Sequence, residues 1–206
     1  MHGTRCIRCL STQVHRAVGI VIESLDLPDD CHAYEMSSRG ALYAYMRRRF
    51  RNFYFSEFYD NVPGGEMRNG TPCQDVQALS LEDGRFDLVT NTEVFEHVPD
   101  DMRGFAEVRR VLKAGGHFIF TVPFMESTET LERAVMMPDG RIEHMLPPEY
   151  HSDRIRGKGA VLAFRTYGTD LEQRLGRAGF SVEIRKITAC GNAVLNQHVI
   201  VARRIH

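Results

Sequence analysis

The sequence predicts an α/β domain, a doubly wound and mostly parallel sheet that closes on an antiparallel last strand. Three observations predict it. From Cys31 onward, short apolar runs alternate with helical periodicity, the pattern of β-α units feeding a parallel sheet. Residues 86–123, FDLVTNTEVFEHVPDDMRGFAEVRRVLKAGGHFIFTVP, read without interruption as strand, polar loop, helix, glycine turn and strand. Only eleven residues, 187–197, separate the last two apolar runs, too few for the usual parallel crossover, so that pair is expected to be antiparallel. Ligands of open α/β sheets bind beyond the carboxyl ends of the strands, which puts the polar residues after Thr90 beside the expected site.

The bulk properties bound the function classes. A chain of 206 residues suits one α/β domain with a full core. The formal net charge of −1 supplies no field for nucleic acid or an anionic membrane surface, so neither partner is expected. No apolar stretch reaches the length of a membrane span, and the polar start MHGTRCIRC does not resemble a signal peptide, making a cytoplasmic setting the default expectation. Five cysteines, an odd number at irregular spacing, give no disulfide framework. Cys6 and Cys9 form a lone CxxC without a second ligand pair, and no metal site is expected from it.

The elements follow in order. Residues 11–25 carry Val14, Ala17, Val18, Val21, Ile22 and Leu25 at helical spacing, with Ser11 or Thr12 as the cap. This helix belongs to an N-terminal extension, residues 1–30, lying across the sheet or over the site. The main domain is expected to occupy 31–206. His32 to Glu35 is a short strand, followed by a tight polar turn and a helix over 41–51 whose basic last turn, Arg47 to Arg49 and Arg51, suits the negative end of the helix dipole. A second strand is expected over 53–57 and a brief third near Asp75, after loops marked by Pro63-Gly64-Gly65 and Asn69-Gly70. Residues 86–90 form a fourth strand, apolar enough to be buried on both faces. The next helix opens at Asp100-Asp101, turns Met102, Phe105, Val108 and Leu112 inward, and is expected to stop at Gly115-Gly116 before a fifth strand over 117–122. Residues 123–165 break the rhythm with Pro138, Pro147 and Pro148, and are expected to form a lid or substrate-binding insertion. A helix over 167–178 and strands over 180–186 and 198–203 complete the chain.

Phe86-Asp87-Leu88-Val89, Glu93-Val94-Phe95-Glu96-His97-Val98 and Val111-Leu112-Lys113-Ala114-Gly115-Gly116 together resemble the class I S-adenosylmethionine-dependent methyltransferases, in particular their methyltransferase type 11 branch. Tyr167-Gly168-Thr169-Asp170-Leu171 and Ala178-Gly179-Phe180 fit the same family. The resemblance implies a Rossmann-like sheet of seven strands, the last antiparallel, with S-adenosylmethionine as cofactor. By position it implies Glu35 at the end of the first strand, then a turn through Met36, Ser37, Ser38 and Gly40. The family's three turn glycines are replaced here by Ser37, Arg39 and Ala41. Backbone N–H groups at the following helix start, two serine hydroxyls and Arg39 can still receive the methionine carboxylate. Glu57, twenty residues after Ser37, is placed to accept the ribose hydroxyls. Asp75 and Val76 match the adenine-binding positions, Phe58 is a candidate to cover the base, and Asn91 and Thr92 face the methionine moiety.

Methyl transfer asks a protein chiefly to align nucleophile, methyl carbon and sulfur and to exclude water, with a base only where the acceptor must lose a proton. Candidates for that base or for acceptor binding are His97, His144 and His151, with Phe124, Tyr150 and Arg165 as further acceptor contacts. For His97 a backbone-bonded, loop-shaping role stands as the alternative. Arg154, Arg156 and Lys158 beside Arg165 suit either an anionic acceptor or a solvated basic face. Two histidines at 144 and 151 across a Pro-Pro loop match no recognised metal-ligand spacing, so no metal is expected. The expected activity is methyl transfer to oxygen or nitrogen of a small-molecule acceptor. The alternative is a non-catalytic protein of this fold serving as a binding or scaffold module.

Overall fold

The computed structural model describes residues 5–153, 159–191 and 193–206. Arg154, Arg156 and Lys158 lie outside the described residues. The strands of the main sheet are β1 (His32–Glu35), β2 (Asn52–Phe55), β3 (Phe86–Thr92), β4 (Leu112–Thr121), β5 (Phe180–Cys190) and β6 (Ala193–Arg204). The helices are α1 (Gln13–Ser24), α2 (Gly40–Arg49), α3 (Asp101–Val111) and α4 (Leu171–Arg177). The sheet order is β5-β6-β4-β3-β1-β2. β1 pairs in parallel with β2 and β3, and β3 with β4, whereas β6 runs antiparallel to both β4 and β5. The α/β class and the antiparallel last strand therefore stand as expected.

Helices cover both faces, and the alternation along each strand divides the core between them. Phe118 and Phe120 of β4, stacked at 4.2 Å, pack with Phe95, Phe105, Tyr167 and Leu175 on the α3–α4 side. Ile119, one residue out of phase, points to the opposite side with Val18, Ile22, Leu42, Met46 and Val199. Thr12 caps α1 with a reciprocal capping box to His15, and Val18, Val21 and Ile22 seat the helix on the sheet beside β6 and β4. Among the described residues no helix is long and apolar enough to cross a membrane.

Four expectations are corrected. The sheet has six strands among the described residues, not seven. In place of a third strand near Asp75 there is a two-residue pairing of Met67–Arg68 with Thr71–Pro72 and a single parallel bridge, Glu57 to Cys73. Pro72 brings no N–H to a ladder, and Gly65 and Gly70 at φ of +88° and +78° turn the chain away from extension. α3 ends at Val111 rather than at the glycine pair, and Leu112 already pairs with Phe86. The register then jumps to Leu88 against His117, so Gly115 and Gly116 form a bulge inside β4. A Cβ on Gly116 would stand 3.0 Å from the Lys113 carbonyl and 3.2 Å from that of Asp87. The expected helix over 167–178 shortens to α4 because Tyr167 is drawn into a bridge with Phe124, fully buried. β5 and β6 extend through most of what was read as their connection and turn at Gly191, φ +56°.

Between β4 and α4 the chain builds three small antiparallel ladders. Leu131–Glu132 pairs with Arg165–Thr166, Ala134–Met136 with Ile142–His144, and Glu149–Asp153 with Gly159–Ala163. This insertion is anchored to the loop after β3 through the Phe164 N–H, which donates to the Glu96 carbonyl at 2.7 Å.

Candidate functional site

A cleft of about 650 Å³ opens at the carboxyl ends of β1, β2 and β3 and is roofed by the insertion. Its volume lies within the range of small-molecule pockets. Met36, Ser37, Glu57, Phe58, Asp75, Val76, Thr92 and His97 line it, eight of the residues singled out from the sequence. The insertion contributes Met136, Ile142, Ala160, Val161, Leu162 and Phe164, an apolar roof over a polar floor.

The turn after β1 is organised by Glu57. Its Oε1 accepts from the Ser38 N–H at 2.8 Å, the Ser38 hydroxyl at 2.9 Å and the Ser37 hydroxyl at 3.2 Å. Ser37, at a position where the family carries glycine, and its neighbour Ser38 thus bind the carboxylate that follows them after the next strand. Oε2 takes no hydrogen bond from the described residues and stays available on the cleft wall. Beneath this turn Glu35 is buried and hydrogen-bonded to the Thr90 hydroxyl. Burial, opposed by that hydrogen bond and assisted by the charge of Glu57, pushes its carboxyl up to about 8. Asn91 is also buried and donates to Met36 Sδ at 3.7 Å, so Glu35 and Asn91 support the floor from behind it. Ser38 acts through Glu57, and Gly40, φ +95°, opens α2 outside the lining residues.

Asp75 holds its own turn, with Oδ1 accepting from the Gln77 N–H at 2.9 Å, and it faces the cleft beside Val76. Phe58, 41% exposed, sits at the mouth. Tyr34 and Ser56, joined by a 2.7 Å hydroxyl hydrogen bond, complete that end.

At the other end, the short 3₁₀ turn Phe95–His97 brings His97 into the cleft. His97 Nδ1 donates to the Leu162 carbonyl at 2.8 Å, fixing the ring against the insertion. The His151 ring stands edge-on to it at 4.8 Å, behind the lining residues. The Glu96 carboxylate beside His151 holds that histidine above its ordinary value, burial opposing it. Glu93, with a left-handed φ of +54°, lines the floor. It is reachable through the cleft mouth yet surrounded by protein. Desolvation, followed by the Glu96 charge, pushes its carboxyl up to about 7.

The remaining candidates are not brought to the cleft. His144 is exposed on the Ile142–His144 ladder, and Tyr150 is 56% exposed. Phe124 packs on the His198 ring at 4.9 Å. Arg165 is 4% exposed and donates to the carbonyls of Val98 at 2.5 Å and Pro99 at 2.8 Å and to Glu132 at 3.1 Å. It pins the insertion to the loop after β3. Glu93 and Glu96 were given no role in the sequence reading, although both stand in the polar run directly after β3. That position was the available signal.

The sequence profile of the methyltransferase domain family matches residues 39–120. The chain is 33% identical over 111 residues to the sarcosine/dimethylglycine N-methyltransferase of Halorhodospira halochloris, covering 52% of this chain and 39% of that protein. It is 39% identical over 49 residues to a ubiquinone biosynthesis O-methyltransferase of Coxiella burnetii, 24% of this chain and 21% of that one. The chain thus spans less than two fifths of the length of these curated relatives. Among solved structures, the glycopeptide N-methyltransferase MtfA complexed with sinefungin superposes with a TM-score of 0.59 at 19% identity, over 99% of this chain and 100% of that one. A S-adenosylmethionine-dependent methyltransferase from Mesorhizobium loti superposes with a TM-score of 0.55 at 18% identity, over 91% and 98%. Profile, relatives and sheet order are thus all similar to those of class I S-adenosylmethionine-dependent methyltransferases, whose fold this chain shares.

Proposed function

We propose that the chain transfers a methyl group from S-adenosylmethionine to an oxygen or nitrogen of a small-molecule acceptor. The observation that carries this reading is Glu57, a largely buried residue on the cleft wall whose Oε1 is held by three donors while Oε2 takes no hydrogen bond from the described residues. A preorganised acceptor of this kind suits a vicinal diol such as ribose. Val76 and Phe58 supply apolar surface for a base, and Asp75 supplies an acceptor for an exocyclic amine. The N-terminus of α2, which has no side-chain cap, offers backbone N–H groups to a carboxylate.

When bound, the cofactor supplies an electrophilic methyl group on a sulfonium. What this chain supplies is alignment and dryness. The apolar roof of Val161, Leu162 and Phe164 keeps water from the reacting end, where His97 stands as the acceptor-side polar group within the cleft. The Leu162 carbonyl accepts from Nδ1 of His97 and so holds that ring in place at the acceptor end of the cleft. His144, Tyr150 and Phe124 stand outside this arrangement, so acceptor contacts are proposed for His97 and the roof instead. Support from relatives is of the same kind, since the matched proteins are named as N- and O-methyltransferases.

Isothermal titration with S-adenosylmethionine and S-adenosylhomocysteine tests the reading. One-to-one binding is expected for both. Absence of binding at millimolar ligand would overturn it and favour a scaffold protein of this fold.

A further inference from the structure

Beside the cleft, Glu96, His97 and His151 converge in a way the proposed methyl transfer does not require. Glu96 is fully buried, and neither carboxylate oxygen has a hydrogen-bond partner among the described residues. An unpaired buried carboxylate is costly, so its surroundings must compensate. The nearest groups are His97 Nε2 at 3.6 Å and His151 Nδ1 at 3.5 Å, both measured to the same oxygen, Oε1. Each ring has its other nitrogen engaged. His97 Nδ1 donates to the Leu162 carbonyl at 2.8 Å, and His151 Nε2 lies 3.3 Å from Glu149 Oε1, itself held by Arg133 at 2.8 Å. Glu96, His97 and His151 can each offer one ligand atom to a common point. These three atoms lie within 4.8 Å of one another.

We infer that Glu96, His97 and His151 bind a divalent first-row transition cation. Two ligand atoms each ~2.1 Å from a tetrahedral ion stand about 3.4 Å apart, close to the 3.5 and 3.6 Å from each ring to Glu96, which are too long for good hydrogen bonds, and the two ring nitrogens, within 4.8 Å, would draw together on the ion. Far ring nitrogens bonded to a backbone carbonyl and a carboxylate are the usual outer support of metal-binding histidines. Two imidazoles and one carboxylate suit Zn²⁺, Fe²⁺ or Co²⁺ better than Mg²⁺. Three protein ligands leave a coordination position open, and His97 borders the cleft. Resting on the methyl-transfer reading, that position would take an acceptor oxygen and ease loss of its proton. Cation binding itself is independent of that reading and is tested without cofactor. Spacing hid the set, because two ligands sit on the turn after β3 and the third on the Glu149–Asp153 strand of the insertion.

The experiment is titration of Zn²⁺ and Co²⁺ into chelator-treated protein, followed by calorimetry and by the visible absorption of bound Co²⁺. One-to-one binding with a tetrahedral-type Co²⁺ band is expected, weakened about 10-fold or more in Glu96→Gln and in His151→Ala and retained in His206→Ala. Ring ¹⁵N shifts of His97 and His151 should move on adding Zn²⁺. The competing arrangement is a protonated histidine pair around Glu96, which would show doubly protonated rings indifferent to Zn²⁺. That result would overturn the inference, as would one-to-one binding that survives in both variants. Should Glu96→Gln fail to fold, His151→Ala, on a half-buried ring of the insertion, carries the test alone.

Discussion

Replacing Arg165 by methionine separates a structural role for this arginine from the acceptor-binding role its position in the sequence suggests. The guanidinium is buried and gives hydrogen bonds to two backbone carbonyls, Val98 and Pro99, as well as to Glu132. Glu132 would keep Arg174 at 2.7 Å, and Asp101 would keep Arg174 at 2.8 Å and the Tyr167 hydroxyl at 3.0 Å, so neither acid loses all its partners. The loss falls on the two carbonyls, each costing about 1–3 kcal/mol when left buried and unpaired. A destabilisation on the order of 3 kcal/mol follows. With a urea slope of about 2–3 kcal/mol/M for a chain of this size, the unfolding midpoint should fall by about 1 M or more. Urea titration followed by circular dichroism reads this directly. A midpoint within about 0.2 M of the wild type would refute the reasoning, because the guanidinium would then be free for a ligand.

Two further outcomes follow from the same geometry. Glu57→Ala should weaken cofactor binding by about 1–3 kcal/mol, roughly 5- to 150-fold in Kd by calorimetry, and unchanged affinity in a folded variant would remove Glu57 from the ribose role. Glu35 is raised in the folded state from an ordinary value of 4.5 to about 8, mainly by burial. Its contribution to stability is therefore complete below pH ~4.5 and is lost as pH rises through about 8, by an amount on the order of several kcal/mol. Chemical denaturation at a series of pH values should show Glu35→Gln losing less stability than the wild type between pH 5 and 9; parallel curves would contradict the assignment.

The fold was legible where periodicity is strong and the chain is buried on both faces. The run from Phe86 onward, the α1 stripe and the short interval before the last strand all translate directly into structure. One misreading has a clear physical cause, which is that glycine marks a backbone angle without saying what surrounds it. Gly115-Gly116 looked like a helix stop, but the pairing of Leu112 with Phe86 carries the strand through them. Of the candidate site, the residues at strand ends and in the turns that follow them were legible, because the topology fixes where those ends lie. Glu57 is the clearest case, and its hold on Ser37 and Ser38 shows how a turn can be organised without its usual glycines. The insertion was not legible in detail. Its short ladders carry weak alternation, and nothing in the spacing of His144, Tyr150 and His151 shows that His151 turns inward while its neighbours face solvent.

A crystal structure of the protein with S-adenosylhomocysteine tests the central claim most directly. The account predicts the nucleoside in the cleft at the ends of β1 and β2, with the ribose hydroxyls on Glu57 Oε2 and the adenine between Phe58 and Val76. A nucleoside bound elsewhere, or a Glu57 carboxylate still held by the serines with no ligand oxygen near it, would contradict it.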